Sequence, residues 1–157
     1  MHLYSAVWPF VECPVKQLIY ASMAVGDTAT TALAVLERAA VFNVSRRITG
    51  LLLVGSHSYA QVLEGGDGEV DDLYGRIQRD PRHTKIRTVS EQAVTQRLWP
   101  AWAMHVIAPT ESNVRLLQSH GVRFEDHFPQ LTVTRLRSLL YAFSEVALST
   151  RPSAPVG

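Results

Sequence analysis

Tyr20, Asn43, Gln61 and Arg76 are polar side chains set in otherwise apolar stretches, and together they offer one kind of chemistry. Asparagine and glutamine each carry amide donors and an acceptor on one rotor. Arginine presents donors in a planar fork, and a phenol both donates and accepts. Such a set can surround a flat ligand whose edge alternates carbonyl and amide groups. Taken singly, three of the four have ordinary explanations. Tyrosine suits strands, asparagine often ends helices, and arginine usually reaches for water. Gln61 has none. It stands between Tyr59 and Leu63 in a run that alternates with period two, which sets all three on one strand face. A primary amide on an apolar face costs stability unless its donors and acceptor are engaged. The question the sequence poses is what Gln61 bonds to.

Other chemistries find little support. The histidines (His2, His57, His83, His105, His120, His127) are scattered, with no HExxH spacing and no cysteine pairs, so no metal centre is expected. Neither GxSxG, Walker A nor GxGxxG occurs. Gly65-Gly66-Asp67-Gly68 lacks the Lys-Ser/Thr of a phosphate loop and reads as a strand-to-helix turn. The lone Cys13 has no partner that would mark it as a nucleophile, and it excludes an internal disulfide.

The elements that must position the four residues follow from periodicity. Residues 16–22 read as a strand with Leu18, Tyr20 and Ser22 on one face. A helix over 30–43, capped by Asp27 or Thr28, carries Ala32, Leu33, Leu36, Ala39 and Ala40 as its stripe. The apolar run 51–54, the turn Gly55-Ser56-His57-Ser58 and the run 59–64 form a hairpin, its first strand covered on both faces. Asp67 is the expected N-cap of a second helix that turns Val70, Leu73, Tyr74 and Ile77 inward and stops at Asp80-Pro81. Strand four is expected over 86–93. Strand five follows Pro100, with Trp102, Met104 and Val106 on one face. A short helix over 111–119 precedes a longer one from Thr132 or Thr134 to about 148, with Leu136, Leu139, Leu140, Phe143 and Val146 as its stripe. This order makes an α+β, ferredoxin-like βαββαβ(β) sandwich with two C-terminal helices. Such a fold hosts many functions.

Composition narrows the classes. The 157 residues suit one domain with a real core, and 46% apolar with 18% charged residues is globular. A net charge of +1 argues against nucleic acid or a membrane surface as partner. The apolar runs are too short to span a bilayer, and no signal core opens the chain. The cytoplasm is the expected location.

Several short motifs point further. Leu18-Ile19-Tyr20-Ala21-Ser22, Asn43 with Ile48-Thr49-Gly50, Gln61-Val62-Leu63-Glu64-Gly65, Arg79-Asp80-Pro81-Arg82-His83 and Trp102-Ala103-Met104 stand in an order and spacing that resemble the BLUF domain family of blue-light sensors. The resemblance runs from about Lys16 to Ile107, and Phe128-Pro129 followed by a helix is similar to the short, stand-alone members. It implies FAD, with FMN as the alternative, and no enzymatic activity. It makes Tyr20 the redox-active tyrosine and Gln61 the glutamine that bridges it to the flavin. Asn43 and Arg76 would hold the ring's carbonyl edge, while Ile77 and Val35 would sandwich it. Asp80, Arg82 and His83 would sit near the flavin in mainly structural roles. Trp102 and Met104 would sense the glutamine's state.

The chain is expected to divide into an aperiodic arm (1–15) without counterpart in the family, a flavin-binding domain (16–108), a helical extension (109–150) and a Pro-rich tail (151–157). The resemblance implies a homo-oligomer and a downstream protein partner. Phe42 replaces a residue that is often polar in relatives, and Ala39-Ala40 replaces a frequent Ser-Arg pair, so flavin affinity is expected to differ while photochemistry survives. The C-terminal helix is expected either to cover the outer sheet face or to mediate assembly, with Met104 carrying the light response to it. Two rival readings are an acylphosphatase-type hydrolase and a flavin-free ligand-binding module.

Overall fold

Five strands form a single mixed sheet: β1 (Val15–Ala24), β2 (Thr49–Val54), β3 (Ser58–Gly65), β4 (His83–Val94) and β5 (His105–Ile107), in the order β4-β1-β3-β2-β5. Neighbours run antiparallel except β2 and β5, which are parallel. Helical residues 41–46 (α1) precede β2, so the first helix runs past its expected end at Asn43, and α2 (Asp67–Arg79) joins β3 to β4. α3 (Glu111–Ser119), a 3-10 turn at Phe128–Gln130 and α4 (Val133–Ser149) follow β5. The computed structural model describes residues 14–28, 34, 39, 41–98, 104–107 and 109–149, with side chains to 146. Val35, Trp102, most of the first helix's stripe, the arm before Pro14 and the tail therefore lie outside the described residues.

The hairpin register does most of the positioning. All six residues of β2 are buried, as an apolar run between two neighbours requires. Gly50 allows β2 its approach to β3, since a Cβ there would lie 1.9 Å from the Val62 carbonyl oxygen. In the β1–β3 ladder Tyr20 stands directly opposite Gln61, and on the other side Leu52 faces Gln61 across β2. Directly opposed residues hold their Cβ atoms within about 5.5 Å, so the two polar groups meet through pairing alone.

Each sheet face has its own cover. Leu18, Tyr20, Leu63 and Ile48 pack against Val70 and Tyr74 of α2. Lys16, at the start of β1, pins α2 and β4 together through Asp67 at 3.1 Å and Asp71 and Glu91 at 2.5 Å. The opposite face turns Ile19, Leu51, Leu53, Ala60 and Val62 into a core closed by Leu136, Leu139, Leu140 and Phe143 of α4. Covering this face is thus the main use of the α4 stripe. Val146, expected in that stripe, is 42% exposed because the core ends one turn earlier, at Phe143 and Ser144.

Three further expectations are corrected. The N-cap of α2 is Gly66, without a side-chain hydrogen bond, and Asp67 is the first helical residue, where with Glu69 it favours the helix dipole. β4 begins at His83 rather than 86. Lys85 has φ 51°, and the register with β1 shifts between Ala21 and Met23, a bulge that interrupts the period. Met104 packs with Leu52, Val54 and Tyr59 on the α2 side of the sheet, so it does not touch α4 as expected; Ile107 of β5 faces that side instead.

Phe143→Ala should therefore cost about 3–5 kcal/mol, as for large buried rings elsewhere. Val146→Ala should stay within about 0.5 kcal/mol. Urea unfolding midpoints at unchanged slope check both.

Candidate functional site

A cavity of about 350 Å³ opens among β1, β3, α1, α2 and the turn into β4. Tyr20, Asn43, Gln61, Arg76, Ile77, Asp80 and His83 all line it, so the structure gathers every described residue that the sequence singled out for a ligand. Its volume falls in the range of small-molecule sites. Leu52, Leu73 and Ile77 supply apolar wall, Phe42 and Arg82 line it as their expected nearness to the ligand requires, and Tyr59 lines it without having been anticipated.

At its floor the Tyr20 hydroxyl donates to Gln61 Oε1, and Gln61 Nε2 donates to Met104 Sδ at 3.2 Å. Tyr20 is 3% exposed and Gln61 6%. This answers the question posed by the lone amide: its acceptor takes a phenol and one donor takes a thioether. Burial, with Tyr74, Asp80 and Tyr59 adding to it, pushes the Tyr20 phenol far above the usual tyrosine range. The phenol stays protonated, must donate, and so fixes which end of the amide faces it.

The surroundings hold that phenol in place. The Tyr74 ring lies 5.4 Å from the Tyr20 ring at a tilt of 43°, and its hydroxyl is anchored by Thr88 Oγ1 at 2.7 Å. His83 bridges β1 and α2, with Nδ1 2.9 Å from Ser22 Oγ and Nε2 2.6 Å from the Ile77 carbonyl oxygen. A carbonyl only accepts, so Nε2 carries a hydrogen. Asp80 receives Arg82 Nε at 2.9 and 3.0 Å on its two oxygens, and the Arg82 backbone N–H at 3.0 Å. That guanidinium holds the Asp80 carboxyl below the usual carboxylate range and is itself raised in return. Asp80 and Arg82 lock the turn after α2 while forming part of the wall. At the rim, Phe42 lies between two cations: Arg46 and Arg76 place Cζ 4.8 and 4.9 Å from its ring centre. Both reach toward Asp72, at 3.0 and 3.7 Å.

Two buried amides, a guanidinium at the rim and apolar walls suit a flat heterocycle with alternating carbonyl and amide edges; a flavin ring fits that description. Among the described residues no group of three or more His, Cys, Asp or Glu could hold a metal, and no helix is long and apolar enough to cross a membrane.

A family model described as sensors of blue-light using FAD matches residues 15–105. The chain belongs to the BLUF family. BLUF domains use flavin, and the cavity lies within the matched region. The photoactivated adenylate cyclase subunit beta of Euglena gracilis is 38% identical over 72 residues, which is 45% of this chain and 8% of that protein. The chain thus spans less than a tenth of that relative's length. Among solved structures, BlsA in its photo-activated state is 22% identical with a TM-score of 0.72, covering 83% of this chain and 94% of the other. It shows the shared fold. BlrB, a BLUF protein in its dark state, is 25% identical with a TM-score of 0.67 over 85% of this chain and 99% of its own.

The raised phenol has a measurable consequence. A tyrosine that stays neutral when folded but ionises near pH ~10 when unfolded stabilises the fold fully below that pH and progressively less above it. Urea stability should fall from about pH 10 upward, and Tyr20→Phe should flatten the fall.

Proposed function

We propose that this chain is a blue-light photoreceptor that holds FAD, or FMN in its place, in the cavity and converts light into a rearranged hydrogen bond at Gln61. The observation that carries the reading is the bonded series Tyr20–Gln61–Met104 at the cavity floor. Bound flavin would supply absorption of blue light and the capacity to take an electron from a nearby phenol. Loss of an electron would make the Tyr20 phenol a strong acid, and the Gln61 oxygen already accepts its hydrogen. The amide then rotates or tautomerises, and its donor leaves the Met104 sulfur. A thioether is a weak acceptor, so that donor is cheaply released. Return of the electron and the proton would restore the neutral phenol and leave only the amide changed. An amide holds donor and acceptor on one rotor and stores the change without net charge; a carboxylate at neutral pH would only accept.

Asn43 and Arg76 would hold the ring's carbonyl edge, with Ile77 and Val35 against its faces. Asp80, Arg82 and His83 keep the wall in place. Trp102 and Met104 would read the amide's state. In this reading residues 16–108 form the flavin-binding part and 109–150 the helical extension. The chain performs no turnover of its own and signals, in the cytoplasm, to a second copy or a downstream protein. The joining of a similar segment to adenylate cyclase in the Euglena proteins supports a role as a sensor for an effector. An acylphosphatase-type hydrolase would need a phosphate loop with catalytic Arg and Asn after strand one, where Ala24-Val25-Gly26 stands.

Purified protein should be yellow, and blue light should move its flavin absorption slightly to longer wavelength. Gln61→Leu should keep the flavin and lose that shift, because the apolar side chain neither relays nor donates. Tyr20→Phe should do likewise through loss of the electron and proton donor. A normal photocycle in either variant, or colourless protein that FAD cannot reconstitute, would overturn the assignment.

A further inference from the structure

β3 holds the connection between β4 and β5 at two places, one on each face of the sheet. Gln61 and Glu64 are an odd number of residues apart and so point to opposite sides. On the cavity side the Gln61 amide donates to Met104, at the far end of the connection. On the other side Glu64 is 0% exposed, and its Oε2 accepts the Leu98 backbone N–H at 2.7 Å. Its Oε1 accepts Gln17 Nε2 at 3.4 Å, and Gln17 Oε1 in turn accepts Gln92 Nε2 at 3.0 Å, which ties the carboxylate to β1 and β4. Arg97 completes the anchor: its Nη1 donates to the Arg47 carbonyl at 2.6 Å, Thr49 Oγ1 at 3.1 Å and the Glu64 carbonyl at 3.3 Å.

The two held ends belong to different cores. Leu98 packs into the core beneath α4, whereas Met104 packs with Leu52, Val54 and Tyr59. The two held residues, six positions apart in the chain, thus lie on opposite sides of the sheet. Its holds are also unequal. A carboxylate accepting a backbone N–H in a buried setting is a strong, charge-assisted bond, and leaving either partner unmet is costly. An amide donating to a thioether is weak. Under strain the Met104 end yields and the Leu98 end stays.

We propose that Glu64 is a positioning residue for the light response: it pins Leu98 in the core under α4, so that a change in Gln61's hold on Met104 is delivered to the core that α4 covers. The inference rests on the reading of Gln61 as the light-driven switch. It supplies the path across the sheet that direct contact between Met104 and α4 does not.

Amide hydrogen exchange on the flavin-loaded full chain, in the dark and under blue light, tests it alongside the absorption shift. In the unsubstituted protein, light should change exchange within α4. Glu64→Met, of similar length but without an acceptor, should keep the absorption shift, raise dark exchange at Leu98 about tenfold and abolish the light-dependent change in α4. Glu64→Gln, which keeps an acceptor oxygen, should restore that change. If Glu64→Met does not fold, Arg97→Met, at the partly exposed side of the same anchor, should weaken the α4 response in the same direction. A merely structural anchor would speed exchange at Leu98 yet leave the light-dependent change in α4 intact, and that result overturns the proposal. So does an absorption shift with no change in α4 in the unsubstituted protein. Absence of the shift itself would instead remove the Gln61 reading, and this one with it.

Discussion

Everything about the site depends on burying one primary amide with its hydrogen bonds met. Gln61 lies on a strand face made of Leu63, Tyr59 and their neighbours, where an unmet amide costs on the order of 1–3 kcal/mol. The β1–β3 register removes that cost by placing Tyr20 opposite it. Burial in turn keeps the phenol protonated, which makes Tyr20 the donor and orients the amide. Tyr74 and His83, packed about the phenol, keep it from turning away. The same burial that stabilises this arrangement makes it responsive, because no water competes for the bonds.

Much of this was legible in the sequence, for physical reasons that differ between elements. Strand period two was enough to put Tyr20 with Leu18, and Gln61 with Tyr59 and Leu63, and the helical period put Val70 and Tyr74 inward. The end of α2 was legible because Pro81 forbids its continuation; the extended Asp80 stands there. The cavity was legible as a gathering of misfit polar residues and, through the Asp80-Pro81-Arg82-His83 motif, at its wall; the part played by Tyr59 was not, since a tyrosine on a strand has a routine role there.

Three misreadings share a cause. A bulge, an unexpected cap and a stripe that outruns its core are set by tertiary contact rather than by local pattern. Lys85 breaks the period of β4, and nothing in the residues 83–85 announces it. Val146 continues a perfect apolar stripe, yet the core beneath α4 has already ended. Glu64 is the sharpest case. A carboxylate at the end of a strand ordinarily faces water, and only the return of the chain at Leu98 encloses it. The sequence also placed Met104 correctly on one face with Val106, but not which helix lies over that face.

In the proposed reading, the bond from Gln61 to the Met104 sulfur limits how strongly the light state can be passed on. A single neutral hydrogen bond contributes about 1 kcal/mol net, and a shift of that size changes a two-state ratio by only about fivefold. The element that senses this bond in that reading is biased only in degree: it samples both of its arrangements whichever way the amide points. Sharper contrast would come from summing equal biases, since two coupled copies multiply their ratios.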